Sequence, residues 1–380
     1  MIANRVAVKI AFFLNGFVYA NWVSRLPRIQ EIYDADNGTI GIVLLAMSFG
    51  AVAAMPFTGW LIIRNGSRKI SLASLIIFCA LIPFIPVMPG LLSLILLYVL
   101  VGMSTGMLDV AMNAQAVIVE QHYRRPIMTS FHAFFSIGMA LGAWGGALFT
   151  DLRVELFHHL IMISAISLAF VLWVRRNLVE DKPDASAVTE GPLFRMPNKA
   201  LLGVGIIAFC CMMGEGAISD WSVNYMENIA MSPRSIAPIA LSAFATAMTF
   251  GRLIGDRCRA WWGDVKLIAF GGLLSTAGLG LALSVPLPYV AITGFFLVGL
   301  GLSTIVPITY SIAGNNKDLP SGVGLAMVTT VGYSGFLFGP PIIGFLADLF
   351  NLRQALIVVV ILFLIMTILG FMRKAGDRRP

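Results

Sequence analysis

The chain has 380 residues, 58% of them hydrophobic and only 12% charged, with a net charge of +7 and a mean hydropathy of +0.87. Soluble globular domains carry about 25% charged residues, so the composition excludes an ordinary water-soluble domain and places the chain in lipid. The basic residues fall in short clusters between long apolar runs, which argues against a basic face for nucleic acid.

A membrane-spanning helix needs about 20 apolar residues. Such runs are predicted over 8–26, 40–63, 70–88, 91–119, 127–150 and 158–176, then over 200–226, 235–255, 265–285, 288–313, 321–347 and 354–373. Lipid admits only helices or closed barrels, and runs this long without period-two alternation exclude the barrel. The first run follows Arg5 and Lys9 with no small-residue cleavage site behind it, so it reads as a retained span and not a signal peptide. Between the sixth and seventh runs, 177–199 carries Glu180, Asp181, Lys182, Pro183, Asp184, Glu190 and Pro192 with little apolar content, and reads as a cytoplasmic linker. The expected organisation is all-α and polytopic: an N-terminal six-helix bundle over 1–176 and a C-terminal six-helix bundle over 200–380.

Alternate loops set the orientation. With the N-terminus inside, 21 of the 26 Lys and Arg residues are cytoplasmic, and only Arg25, Arg28, Arg153, Arg234 and Arg353 lie outside. The positive-inside rule then places both termini in the cytoplasm of a bacterial inner membrane. The two halves also repeat. At an offset of 197 residues Val101-Gly102 falls on Val298-Gly299, Gly138 on Gly335, Gly142 on Gly339 and Asp151-Leu152 on Asp348-Leu349. At an offset of 199, Asn21-Trp22 falls on Asp220-Trp221. Paired halves are the architecture that permits rocking about a midplane site.

The second span ends Gly59-Trp-Leu-Ile-Ile-Arg64-Asn-Gly66-Ser-Arg68-Lys69, and the eighth ends Gly251-Arg252-Leu-Ile-Gly255-Asp256-Arg257. The first resembles the G-x-L-x-D-R-x-G-R-[KR] signature of the major facilitator superfamily, with Ile63 where the family has Asp; the second resembles the form taken in the second half, with the Asp present. The resemblance covers the whole chain and implies the superfamily's twelve-helix fold of two pseudo-symmetric six-helix bundles. It further implies a conformational latch at Gly59, Arg64, Gly66, Arg68, Gly251, Arg252, Asp256 and Arg257, in which the acid faces a helix N-terminus. The loss at Ile63 leaves Asp256 as the candidate acid. Together with His132-Ala-Phe-Phe-Ser136, the segments from Gly106 to Gln115 and from Gly214 to Trp221 resemble the YbjJ-like branch, which is similar to the fucose permease group of proton symporters. Ala143 stands where family antiporters carry a proline, which argues against drug–proton exchange. The small-residue spacings around Gly138 and Gly335 allow close helix packing in lipid, and packing alone also accounts for them.

Intramembrane carboxylates are costly, by about 2.5–3.5 kcal/mol on insertion scales, and face a partner or a wet cavity. Asp109, Glu215 and Asp220 are the candidates for proton coupling, with His132. The fourth and fifth spans run antiparallel, and a rise of about 1.5 Å per residue puts His132 level with Asn113 and Ser136 level with Asp109. If those helices touch, the four form one polar cluster; a structural network that only fixes packing is the competing reading. Low dielectric favours the neutral form of a carboxyl, which suits proton carriage at Glu215 or Asp220. Glu120, one turn before Arg124, reads as half of a surface pair. By the repeat, Asp109 falls on Val306 and His132 on Thr329, so the chemistry is not duplicated with the scaffold.

Amides and aromatic rings suit a small, neutral, sugar-like solute. Candidate contacts are Asn15, Tyr19, Trp22, Asn113, Trp221, Asn224, Tyr310 and Tyr333, with interfacial anchoring as the alternative for the two tryptophans. Arg25 reads as a gate or loop residue near the outer surface. No Walker loop, H-E-x-x-H or G-x-S-x-G motif is present. Neither His122, His132, His158 and His159 nor the four scattered cysteines make a metal set. The expected partners are therefore the lipid bilayer, a small-molecule substrate and protons, with no cofactor, no metal and no nucleic acid, and the chain acts as a monomer. The sequence points to a secondary active transporter working by alternating access. A proton-driven exporter of amphipathic compounds, a non-transporting sensor, and a lipid flippase or channel are its rivals.

Overall fold

The computed structural model describes residues 2–123, 127–181, 199–314 and 321–372. Most of the 177–199 linker lies outside these residues, as do Arg124, Arg125, Lys317 and the basic C-terminus. Every regular element among the described residues is helical. In chain order they are α1 (Ile2–Val23), α2 (Leu26–Tyr33), α3 (Asn37–Asn65), α4 (Ser67–Leu81, continued by a 3-10 turn, Ile82–Val87), α5 (Leu91–Tyr123), α6 (Met128–Asp151) and α7 (Leu156–Asn177). The rest are α8 (Lys199–Asn228), α9 (Ile239–Ser284), α10 (Pro288–Leu302), α11 (Ile305–Gly314), α12 (Ser321–Leu349), α13 (Leu352–Ala355) and α14 (Ile357–Met372).

Eleven helical stretches among the described residues are long and apolar enough to cross a membrane. One of them, α9, has 46 residues and is interrupted at Gly263, whose φ of 76° no helix accommodates. Each side of that break is long enough to span, so the twelve crossings expected from the sequence are present. The short α2 was not expected. Pro27 suits the first turn of a helix, where a missing N–H costs nothing, and Asp34 in the left-handed region closes the other end.

The chain divides into two compact units, Met1–Gly191 with Arg234–Ser242, and Pro192–Pro233 with Ala243–Pro380. In the first, α1 packs along α6 and α3 along α5; in the second, α8 packs along α12. These contacts are backbone to backbone, because in lipid burial from water cannot drive association and van der Waals closeness must. A Cβ added at Gly138 would collide with Phe13 O, and one at Gly335 with Phe209 O. Likewise Gly102 abuts Met47 O, and Gly299 abuts Phe244 O. The repeat seen at an offset of 197 residues is thus a repeat of contacts within each unit.

Two further glycines pin its register. Gly66, between α3 and α4, has φ 79°, and Gly263, inside α9, has φ 76°; they stand 197 residues apart. Both positions need the positive φ that L side chains resist.

Candidate functional site

In the second unit, α8 and α9 place Glu215 against Arg252, with Nη2 to Oε1 at 3.3 Å and side chains only 14% and 12% exposed. Two opposite charges this enclosed hold each other in place, because either one left alone would carry a large desolvation cost. Cys211, one turn earlier on α8, is buried beside them, its thiol directed to Leu302 O. On α9, Gly251 presses against Ser303. Arg252, expected in the latch, is therefore a partner of the proton-coupling candidate. A signal for this existed: Glu215 lies 18 residues before Pro233 and Arg252 lies 18 after Arg234, so the two are level on antiparallel helices.

Further along α8, Asp220 is buried, and Trp221 and Asn224 are fully enclosed. Trp22 of α1 is enclosed as well, edge-on to Tyr19 and to Tyr98 at centroid distances of 5.4 and 5.2 Å. Neither tryptophan is an interfacial anchor, and neither offers surface to a solute in this conformation. Both indole N–H groups are buried without an acceptor. Half-buried Tyr310 points its hydroxyl at Met212 Sδ, 3.7 Å away, and Tyr333 tilts against Phe336.

In the first unit, Asn113 Nδ2 donates to Asp109 Oδ1 at 3.2 Å and to its backbone oxygen at 2.8 Å, one turn back on α5. Asn15 Nδ2 is directed to Met112 Sδ, across from α1 to α5. His132 lies edge-on to Phe12 of α1, and Ser136 donates to His132 O within α6. The expectation of one cluster across the fourth and fifth spans assumed that those helices pack together. The helix along which α6 chiefly packs is α1, although α6 also meets α5; along each helix Asn113 is bonded to Asp109 and Ser136 to His132.

Glu120, expected to pair with Arg124, which lies outside the described residues, accepts at Oε2 from the backbone N–H groups of Ile127 and Met128, both at 2.7 Å, capping the N-terminus of α6. Arg25 is 5% exposed and is a core residue rather than a gate. It donates to Val154 O at 3.1 Å and meets His159 Nδ1 at 3.3 Å, while His159 Nε2 lies 2.9 Å from Asn21 Oδ1. Since Arg25 can only donate, Nδ1 accepts and the imidazole is the Nε2–H tautomer.

At the α3–α4 junction, Gly59 is open to its surroundings and exposed Arg64 stacks over the Trp60 ring at 4.2 Å. Gly66 abuts Asp181. Asp181 supplies what Ile63 lacks: Oδ2 accepts from Ser67 N at 2.5 Å and Oδ1 from Arg68 N at 3.2 Å, an anion on the N-terminus of α4. Arg68 also donates to Arg175 O and pairs with Glu180. Buried Gln115 holds the neighbouring Val179 by both backbone groups, at 2.9 Å each. Sequence reasoning placed Asp181 in the linker and had no signal for this contact. In the second unit the register fixed by Gly66 and Gly263 makes Ala260 the counterpart of Ile63, and Asp256 the counterpart of Gly59. The acid expected at Asp256 is thus missing from that position in both halves; Asp256 and Arg257 are exposed. The ion pair at this junction is instead Arg259 forked onto Asp264 at 2.6 and 3.0 Å, with a further bond to Ser311. Among the described residues no three His, Cys, Asp or Glu side chains converge as a metal site.

The family model described as Major Facilitator Superfamily matches residues 9–319. An uncharacterised MFS-type transporter of Yersinia pestis is 34% identical over 364 residues, 96% of this chain and 94% of that protein. The membrane protein MosC of Rhizobium meliloti is 32% identical over 359 residues, covering 93% and 86%. Among solved structures, the nucleoside transporter NupG superposes with a TM-score of 0.74 at 13% identity, over 98% of this chain and all of that one. A mutant form of NupG gives 0.76 over 97% and 99%. At that identity the likeness speaks for the fold alone.

Proposed function

The chain belongs to the major facilitator superfamily of membrane transporters, and from that premise we propose that it is a proton-coupled secondary transporter of a small polar solute, working by alternating access. The observation that carries this reading is the enclosed Glu215–Arg252 pair. A proton arriving on Glu215 cancels the charge that faces Arg252, so the contact between α8 and α9 depends on the protonation state. A conformational change that separates the pair, or wets it, returns the proton. Each proton carried draws on the membrane potential, which supplies about 2.3 kcal/mol per charge per 100 mV.

Asp220 on α8, and Asp109 and His132 in the first unit, are further proton-bearing groups in this scheme. Asn15, Tyr19, Asn113, Tyr310 and Tyr333 are the proposed solute contacts. The distribution of Lys and Arg supports both termini lying in the cytoplasm of a bacterial inner membrane. The test is a ligand screen by thermal shift on the purified protein, followed by flux of each hit with and without a pH gradient. Sugars and nucleosides head the panel, the latter because a structural neighbour is a nucleoside transporter. A hit whose flux responds to the gradient supports the reading. Hits that all move equally with and without a gradient count against it.

A further inference from the structure

The first turns of α1 carry two cations, Arg5 and Lys9, one turn apart on the same helix face, where like charges repel. Near the end of a spanning helix such residues pair with a carboxylate or reach out to the interface. Here they find aromatic rings: the Arg5 guanidinium lies over Tyr123 of α5 at 5.4 Å, and Lys9 Nζ over Phe134 of α6 at 4.5 Å. Among the described residues neither is within ion-pair distance of an acid, and Arg5 Nε is buried without an acceptor. The acid nearest in sequence to Tyr123, Glu120, is committed to the N-terminus of α6. The place is built and not frayed, since Asn4 Nδ2 ties the same turn of α1 to Asn177 O at 2.9 Å.

A ring face attracts a cation without cancelling its charge, so the two side chains keep a net positive field between α1, α5 and α6. Their donors remain available for charge-assisted hydrogen bonds. We propose that Arg5 and Lys9 form a binding site for an oxyanion, a carboxylate or phosphate group, with Tyr123 and Phe134 as its walls. Two sources offer that chemistry: a soluble organic anion, and the headgroup of an anionic lipid. The site is separate from Glu215 and does not depend on proton coupling.

The test uses the full chain in phosphatidylcholine nanodiscs at fixed pH with no gradient. Inorganic phosphate and benzoate are titrated onto wild type, Arg5→Gln, Lys9→Gln, the double variant and Lys9→Arg, with binding read by thermal shift. If a soluble anion is the ligand, wild type and Lys9→Arg bind a probe and each Gln variant weakens it by about tenfold, the loss of one charge-assisted bond. Binding must also fall as salt rises. If a lipid is the ligand, the probes do nothing, but exchanging phosphatidylcholine for phosphatidylglycerol stabilises wild type and Lys9→Arg and not the Gln variants. Should the double variant fail to fold, the two single variants and the Lys9→Arg rescue decide the matter. Equal responses of all variants to phosphate, benzoate and phosphatidylglycerol overturn the proposal. Because no pH gradient is present, a failure here leaves the proton reading untouched, and a failure of that reading leaves this one standing.

Discussion

Breaking the Glu215–Arg252 pair from one side should cost more than removing it altogether. At 3.3 Å and an effective dielectric near 20, the attraction is about 5 kcal/mol before desolvation is counted. Desolvation of two enclosed groups offsets much of that, but a single substitution leaves one of them stranded, which costs about 3–5 kcal/mol. With an unfolding entropy of about 2 cal/mol/K per residue over a chain that melts as one transition, Arg252→Gln should lower Tm by about 4–6 °C. Glu215→Gln should do the same with the opposite charge stranded. The double Gln variant strands no charge and should recover most of the loss, giving a coupling of at least about 1.5 kcal/mol. Melting can be followed in detergent with a thiol-reactive dye, since Cys211 is buried beside the pair. A double variant whose loss is the sum of the single losses, within about 0.5 kcal/mol, would refute the pairing.

Other predictions concern the junctions. Gly66→Ala must bring a Cβ to 2.8 Å from Asp181 O at a φ of 79°, and should destabilise by about 1–2 kcal/mol. Gly59→Ala, where nothing lies within 4 Å, should stabilise by up to about 1 kcal/mol; both are read by melting. Asp181→Ala removes the anion from the N-terminus of α4 and should cost about 1 kcal/mol and hasten proteolysis within 177–199. Asp36→Ala removes the N-cap of α3, again about 1 kcal/mol. Hydrogen bonds from the Thr39 hydroxyl and backbone hold the Asp36 carboxyl below its ordinary value of 3.8. Its contribution is present in full above that value and is lost as the pH falls through the lower folded one. The gap between wild type and Asp36→Ala should therefore narrow from about pH 4 downward.

The spans were legible in the sequence because lipid leaves a single solution, about 20 apolar residues in a helix, and the repeat was legible because glycines at backbone contacts tolerate no replacement. Gly102 and Gly299, and Gly138 and Gly335, show in the letters what they do in the fold. What one helix packs against is harder to read. Depth along a span follows from counting, but adjacency does not: counting set His132 level with Asn113, while the helix along which α6 chiefly packs is α1, and the level pair Glu215–Arg252 went unread. Register around a helix break failed in a different way. Asp256 matched a motif by letter, and only the positive φ at Gly66 and Gly263 shows that its counterpart is Gly59. Asp181, Gln115 and His159 were invisible for a third reason: their partners are backbone groups or residues more than 60 positions away.

The most direct test of proton coupling is Glu215→Gln in proteoliposomes, where Gln imitates a carboxyl that never releases its proton. With a solute identified by the screen, counterflow between equal pH values isolates solute movement from proton movement. If Glu215 carries the coupling proton, the variant still exchanges labelled solute in counterflow, while accumulation driven by a pH gradient falls to the level of empty liposomes. Gradient-driven accumulation at the wild-type level in Glu215→Gln would contradict that role.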